Sequence, residues 1–515
     1  MNNLKEILLN EIPNFKDILT KFLNGEISKT EFKGFSGGYG IYAQRDQKSF
    51  MIRLRVASGV ISKSQLNSIY HIATKYNINK IHITTRQAIQ LHNLTADQLI
   101  NIMEECIQND IFSRGGGGNF PRNVALSPLS GVDFNESFDV TPYSIATDKH
   151  FMSKITTYNL PRKLKVSYSS SYSDNAHCTV QDLGFIATTE NNEPYFRVFI
   201  GGGLGKNPKL ALEFDELIKP HEVLYYVEGI TKMFMEYGDY QNKNKARVRY
   251  MVDTLGEKEF LNKFKEFSNR EKELSGLDLY PEPINYDKDG YEIDLSDSRL
   301  IPQKQNNLYS VYIHPIGGQL KTKDLKMLLY ELDKIKNPMI RLSMTEGLFI
   351  LNLNGKEARR ILEISKSISA TSSLESSIAC IGVPICQMGI QDTQKMLNDI
   401  INYFKENNYV NLLNKIPKIN ISGCPNSCGV HQIGKIGLSG KIKKLDGIPT
   451  DVFEMHIGGC CEFTKSKLGT SIGDFKASQI PKIFVEIAQA IDDDFYIWLD
   501  NNTDKLLNIV SKYKI

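Results

Sequence analysis

No stretch of this 515-residue chain is apolar over the length a bilayer requires. The start, Met1-Asn-Asn-Leu-Lys-Glu-Ile-Leu-Leu, carries Glu6, Glu11 and Asp17 instead of the basic-then-apolar pattern of a secretory leader. Charge of one sign is missing too. Lys+Arg 62 against Asp+Glu 59 leaves +3, and no basic block marks a nucleic-acid surface. Cysteine is sparse: of eight, four fall into one pattern, which fits a reducing compartment and excludes a disulfide scaffold. There is no low-complexity tract. These absences point to a cytoplasmic protein with no membrane and no nucleic-acid partner. What is present is ordinary for a globular chain, 41% hydrophobic and 23% charged. The length exceeds one core and implies roughly three or four domain-sized units.

The four patterned cysteines are Cys380 and Cys386, spaced C-x5-C, and Cys424 and Cys428, spaced C-x3-C. Each pair leaves too little chain for its members to reach opposite sides of a domain, so four thiolates should converge, as an iron–sulfur cubane needs. Zinc is the competing ligand, but C-x5-C lies outside its usual C-x2–4-C spacing. Buried unliganded cysteines are the remaining alternative. The connection between the pairs reads as a helix. Pro425 suits the first turn of a helix, and Gly429 would let the backbone approach a bulky group.

Two halves of the chain repeat a plan. The first begins with a helical lead-in over residues 3–30. A glycine-rich approach at Gly34–Gly40 follows, then a strand Phe50–Val56 with Arg53 and Arg55 on one face. A helix with Leu66, Ile69, Ile72 and Ala73 follows, then a strand Ile81–Gln90, then a helix over 96–109. Gly59 and Gly318, like Leu66 and Leu325, are 259 residues apart. Pro161–Ser167 parallels Pro417–Ser422 at 255 to 256, and Ile200-Gly-Gly-Gly203 parallels Ile457-Gly-Gly459 at 257. Such near-constant offsets are the mark of a duplicated domain pair. At 255, Ser169 and Ser173 of the first copy stand opposite Cys424 and Cys428. The charged, turn-rich residues 271–306 separate the copies.

Ile421-Ser-Gly-Cys424-Pro-Asn-Ser-Cys428-Gly429, with Ile436-Gly-Leu-Ser-Gly440 downstream, resembles the sulfite and nitrite reductases that carry sirohaem beside a [4Fe–4S] cluster. The resemblance covers nearly the whole chain. It implies an α+β fold, internally duplicated, with two small ferredoxin-like β-α-β units and two larger mixed α/β units in pseudo-twofold symmetry. The expected division is 1–118 for the lead-in and first half-domain, and 119–270 for a first large domain with the substrate cations. After the linker 271–306 come 307–370 for the second half-domain and 371–515 for the cluster domain.

By the same resemblance Cys380, Cys386, Cys424 and Cys428 ligate the cluster, and the Cys428 sulfur is shared with the sirohaem iron. Arg53, Arg122, Lys163 and Lys165 match the cations that hold the anionic substrate. Arg86 and Gln90, in Thr85-Arg-Gln-Ala-Ile-Gln90, match residues that contact the macrocycle, with Asn426 a further candidate. Two lysines at Lys163 and Lys165 resemble the sulfite reductases, whereas the ferredoxin-dependent nitrite reductases tend to have asparagine at the second. The implied reaction is six-electron reduction of sulfite to sulfide, or of nitrite to ammonia. A non-catalytic iron–sulfur or zinc protein on this scaffold is the alternative from another class. The sequence departs from some relatives at His82, where they have arginine, and at Ala57-Ser58, in place of Pro-Gly. No C-x2-C-x2-C run matches the insert of the dissimilatory branch. No flavin or nicotinamide domain fits, so electrons would come from a separate ferredoxin or flavoprotein. His431 and His456 read as structural histidines. Cys460 and Cys461, being adjacent, should point apart in a packed loop.

Overall fold

A computed structural model describes residues 2–515. The lead-in forms helices Asn2–Leu23 and Lys29–Ser36, the second opened by a Ser28–Glu31 capping box. Leu8, Ile12, Phe15 and Leu19 recur at helical spacing and are buried, which seats the long helix on the first half-domain.

The described residues form four five-stranded sheets. The first runs in the order Ile41–Ala43, Phe50–Leu54, Ile89–Leu94, Lys80–Ile83, and the third runs Leu300–Pro302, Leu308–Ile313, Leu348–Asn354, Met339–Leu342. Matching strands begin 259 residues apart at 41 and 300, 80 and 339, and 89 and 348. The fifth strand of each is exchanged. Gln319–Lys321 pairs antiparallel with Lys80–Ile83, and Val60–Ile61 pairs with Met339–Leu342. The exchanged strands follow matching kinked turns, Ser58 (φ 54) with Gly59 (φ 70) and Gly317 (φ 59) with Gly318 (φ 69). One hydrophobic core runs through both half-domains, from Leu8 to Ile368.

The other two sheets start from parallel pairs and finish antiparallel. Ala125–Leu126, Val166–Ser169 and Leu183–Glu190 correspond to Ile378–Ala379, Ile419–Ser422 and Ile436–Leu445, each 253 residues on. Each of these units has its own core. The irregular segment between copies is narrower than 271–306, because a helix continues to Leu274 and a strand starts at Leu300. Tyr286 anchors it: its hydroxyl donates to Asp139 Oδ2 (3.0 Å) and accepts from Arg341 Nη2 (2.9 Å).

Three sequence expectations change. Residues 81–90 are not one strand. The chain reverses at Thr84–Ala88, where Gln87 takes φ 53 and Thr84 N–H donates to Ala88 O, and Ile89–Leu94 returns beside Lys80–Ile83. The turn Thr84-Thr-Arg-Gln-Ala88 has no glycine or proline to mark it. The offset of 255 to 256 is 253 in the structure, so Cys424 and Cys428 face Ser171 and Asn175 rather than Ser169 and Ser173. The lengthening to 257 arises afterwards, in the longer hairpin Ile436–Ile457. Pro425 opens no helix: residues 423–430 form tight turns with Ser427 (φ 55) and Val430 (φ 48) left-handed.

Candidate active site

The two cysteine loops are tied together by Gly423. Its N–H donates to Cys380 Sγ (3.3 Å), and its carbonyl accepts from Ile390 N (2.8 Å) and Gln391 N (2.9 Å). The helix between the loops is Thr393–Glu406, as the sequence suggested. Gly429 makes its close approach to its own domain, not outward. A Cβ there would press on Ile421 O and Ser422 Oγ. That packing folds the turn back on strand Ile419–Ser422 and leaves Cys428 exposed while Cys424 is buried. Burial pushes the Cys380, Cys386 and Cys424 thiols up, and each is pushed further by the field of Cys428. The four sulfurs therefore share one neighbourhood. Among the described residues no three Cys, His, Asp or Glu side chains are gathered tightly enough for a single ion, so the set does not offer the closed tetrahedron of a structural zinc.

The first copy supplies the opposite wall. Thr85 Oγ1 donates to Cys428 O (2.7 Å), joining the Thr84–Ala88 turn to the cysteine loop. Lys163 and Lys165 lie on an extended segment leading into Val166–Ser169, with Leu164 fully buried between them, so both lysines point away from that core. Neither ammonium has an ion-pair partner among the described residues. Burial and then Arg247 hold the Lys163 ammonium well below its usual range. The same causes lower Lys165 to about 7, while Cys428 opposes the shift in both.

Arg53 and Arg55 reach from one strand face to consecutive carbonyls, Gly116 O (2.9 Å) and Gly115 O (3.0 Å). Arg122 closes the same loop from the other side, onto Gly117 O, Gly118 O and Phe120 O, each at 2.8 Å. Burial lowers Arg122 to about 9. The loop itself requires Gly117, where any Cβ would meet Tyr42 Oη and Gly37 O.

Gln90 pairs across the strands with Arg53 and is buried beneath it. With the amide oriented to satisfy its neighbours, its oxygen accepts from Arg53 Nη2 (2.8 Å) and Nε (2.9 Å), and its nitrogen donates to His92 Nε2 (3.0 Å). Arg86 spends its guanidinium on Asn123 O, Gln181 Oε1 and Val166 O. Burial lowers it to about 10. Asn426 is exposed in the turn beside Cys428.

Sequence reasoning did not single out Arg247, Asp182 or Thr85. Arg247 grips Asp182 with bonds of 2.8 and 2.9 Å, and Asp182 in turn accepts from Lys165 N (2.9 Å). The pair therefore sets the backbone of the lysine segment. Its members are 65 residues apart, so no local motif announces it. Cys460 and Cys461 do diverge, Cys460 toward Tyr496 and Cys461 toward Cys178 and Asp174. His431 is buried, its ring 5.2 Å from that of His456.

The charge balance tests the expected cofactors. The buried acids beside the cations are already matched, Asp148 by Arg55 and Asp182 by Arg247. Lys163 and Lys165 are left without a carboxylate, so an anion beside them would restore the charge that burial and Arg247 disfavour. A tetrapyrrole with eight carboxylates, together with small anionic substrates, fits that pair, and four thiols in one neighbourhood fit the cluster.

The comparisons agree. The family described as nitrite and sulphite reductase 4Fe-4S domain matches residues 117–272 and 371–503, more than half of the chain, and the nitrite/sulfite reductase ferredoxin-like half domain matches 42–109. An assimilatory ferredoxin-dependent nitrite reductase of Haloferax mediterranei is 24% identical, over 82% of this chain and 76% of its own. A sulfite reductase [ferredoxin] of Mycobacterium tuberculosis is 25% identical, over 84% and 80%. A ferredoxin–nitrite reductase of Synechococcus elongatus is 25% identical, over 80% of each. The fold matches the solved Mycobacterium tuberculosis NirA protein with a TM-score of 0.80 at 23% identity, covering 98% of this chain and 96% of that one. The chain belongs to the nitrite and sulphite reductases, the oxidoreductases that carry sirohaem and a [4Fe–4S] cluster.

Proposed function

We propose that this enzyme reduces sulfite to sulfide, taking six electrons and six protons per anion and releasing three waters. Cys380, Cys386, Cys424 and Cys428 would hold the cluster, and Cys428 would be shared with the sirohaem. Arg86 and Asn426 would contact the macrocycle, and Gln90 holds Arg53 in place. The bound cofactors supply the electron chemistry. The protein's own part is to strip water from a small anion and replace it with charge-assisted donors from Arg53, Arg122, Lys163 and Lys165. The division of labour follows the copies: the first gives the cations, Arg53 from 1–118 and Arg122, Lys163 and Lys165 from 119–270, and 371–515 gives the cluster. Electrons come from a separate one-electron donor, and the ferredoxin named for the relatives suits that role.

The observation that carries the substrate choice is the pair of half-buried lysines without a carboxylate partner, Lys163 and Lys165, within the field of Cys428. Sulfite titrates between monoanion and dianion near neutrality whereas nitrite stays a monoanion, so an added cation favours the dianionic share of sulfite by the product of charges. Lys165 Nζ, lowered to about 7, can also surrender a proton to a reduced oxygen without a large penalty.

The test is Lys165→Asn, which removes the charge but keeps a donor. With one artificial reductant, kcat/KM for sulfite should fall by on the order of tenfold, about 1.4 kcal/mol, while nitrite falls less or rises. A wild-type enzyme that already prefers nitrite, with both activities falling in parallel in the variant, would move the assignment to nitrite reduction to ammonia.

A further inference from the structure

Because the copies correspond residue by residue, side chains at matching positions can be compared directly. Gln87 and Glu346 are such a pair, 259 residues apart like the kinked turns. Both are buried, at 0% and 1% exposure, and both sit at left-handed backbone, φ 53 and 62, in the reversal between two strands. Gln87 uses its amide as a clamp on the first strand of the adjoining large unit. Its Oε1 accepts from Leu126 N (2.9 Å), and its Nε2 donates to Leu126 O and Leu342 O, both at 2.8 Å. The counterpart of Leu126, 253 residues on, is Ala379, and Glu346 Oε2 accepts from Ala379 N at 2.8 Å. Ala379 immediately precedes Cys380.

The difference between the copies is chemical. An amide offers a donor and an acceptor, whereas a carboxylate offers acceptors alone. No cation pairs with Glu346 among the described residues. The titratable groups that face it are Tyr312 on Leu308–Ile313 and His82 on Lys80–Ile83. His314 lies behind, its Nδ1 3.0 Å from Tyr312 Oη. Burial pushes the Tyr312 phenol up to about 12 and both histidines down to about 3, so none is charged near neutrality. The charges that act on the two histidines are Lys418 on His314 and Arg53 and Lys80 on His82. On the α-helical side Gln394 Nε2 serves Ala379 O (2.7 Å). A bare carboxylate in such surroundings would be an unpaired buried charge, far costlier than the neutral acid.

We propose that Glu346 is kept as the neutral carboxylic acid, accepting from Ala379 N as Gln87 accepts from Leu126 N, and that it is a positioning residue for the Cys380 strand whose ionisation loosens that strand. Burial raises its carboxyl well above the usual range, in the same direction. The sign follows. A raised folded-state value means the stability is complete below the unfolded value of about 4.3 and declines by about tenfold per pH unit above it, until the folded value is passed. Glu346→Gln has no proton to lose and escapes the decline.

The experiment uses the loaded enzyme. Thermal midpoints of wild type, Glu346→Gln and Glu346→Ala are measured from acid to alkaline pH, with the cluster absorbance retained at each pH. The gap by which Glu346→Gln exceeds wild type should open above about pH 5 and reach a few degrees. Cluster loss at high pH should be slower in that variant, and Glu346→Ala, without the clamp, should be worst in acid. The infrared carbonyl band of a protonated carboxylic acid, present in wild type at neutral pH, should weaken in Glu346→Gln. A gap that does not change with pH, an unchanged band, or a Glu346→Gln protein that fails to fold would overturn the proposal. The link to Cys380 rests on the cluster assignment above, while the stability gap does not. A gap without any difference in cluster retention would overturn the positioning role while leaving that assignment untouched.

Discussion

At the scale of single residues, the site divides into groups that touch the reaction space and groups that hold them. Cys428 is the exposed thiol of the four and lies in the field of both lysines, which supports its proposed role as the shared sulfur. Among serine variants that retain both cofactors, Cys428→Ser should perturb the sirohaem spectrum more than Cys380→Ser or Cys386→Ser. Equal spectra would argue against a shared sulfur. Lys165 carries a pH dependence. Burial and Arg247 lower its ammonium to about 7 and a bound anion raises it, so binding is strongest below that value and weakens as pH rises through it. Nitrite does not itself titrate across the neutral range, so its KM should climb with pH, and Lys165→Asn should flatten the climb. The cysteines and cations were legible in the sequence because each sits in a short motif. The Arg247–Asp182 grip and the Thr85 bond to Cys428 were not, because they join segments far apart in the chain and leave no local spacing to read.

At the scale of elements, amphipathic helices were readable and turns were not. The helix Lys63–Lys75 buries Leu66, Ile69, Ile72 and Ala73 as its periodicity requires. The reversal at Thr84–Ala88 has no glycine or proline, and Gln87 accepts its left-handed φ because its side chain is fixed by three hydrogen bonds. The cysteine turn shows the converse, a glycine that makes room for its own domain. Since Gly429 lies against Ile421 O and Ser422 Oγ, Gly429→Ala should cost about 1–3 kcal/mol through forced backbone shifts. It should also lower the cluster content of the purified protein, as measured by acid-labile sulfide. Unchanged stability and sulfide would show that the turn can shift freely.

At the scale of the whole molecule, the duplication was visible as an offset, but the way the copies interlock was not. An offset reports likeness between segments, whereas strand exchange is a matter of partners. Val60–Ile61 completes the sheet of the second copy and Gln319–Lys321 that of the first, over one continuous core. Residues 1–298 expressed alone should therefore fail to give a protease-resistant first half-domain, and co-expression with 299–515 should restore it. A monomeric 1–298 fragment with a resistant first half-domain would contradict this.

The exchanged strands also set a schedule. The first sheet has four of its strands once Leu94 has been synthesised, but its fifth ends at Lys321. At roughly 5–20 residues per second the nascent chain carries an open sheet edge for on the order of ten to forty seconds. An unpaired edge is a template for wrong partners. This enzyme thus depends on whatever shields a growing chain, and slowing translation between those two points should raise its aggregation more than slowing it after Lys321.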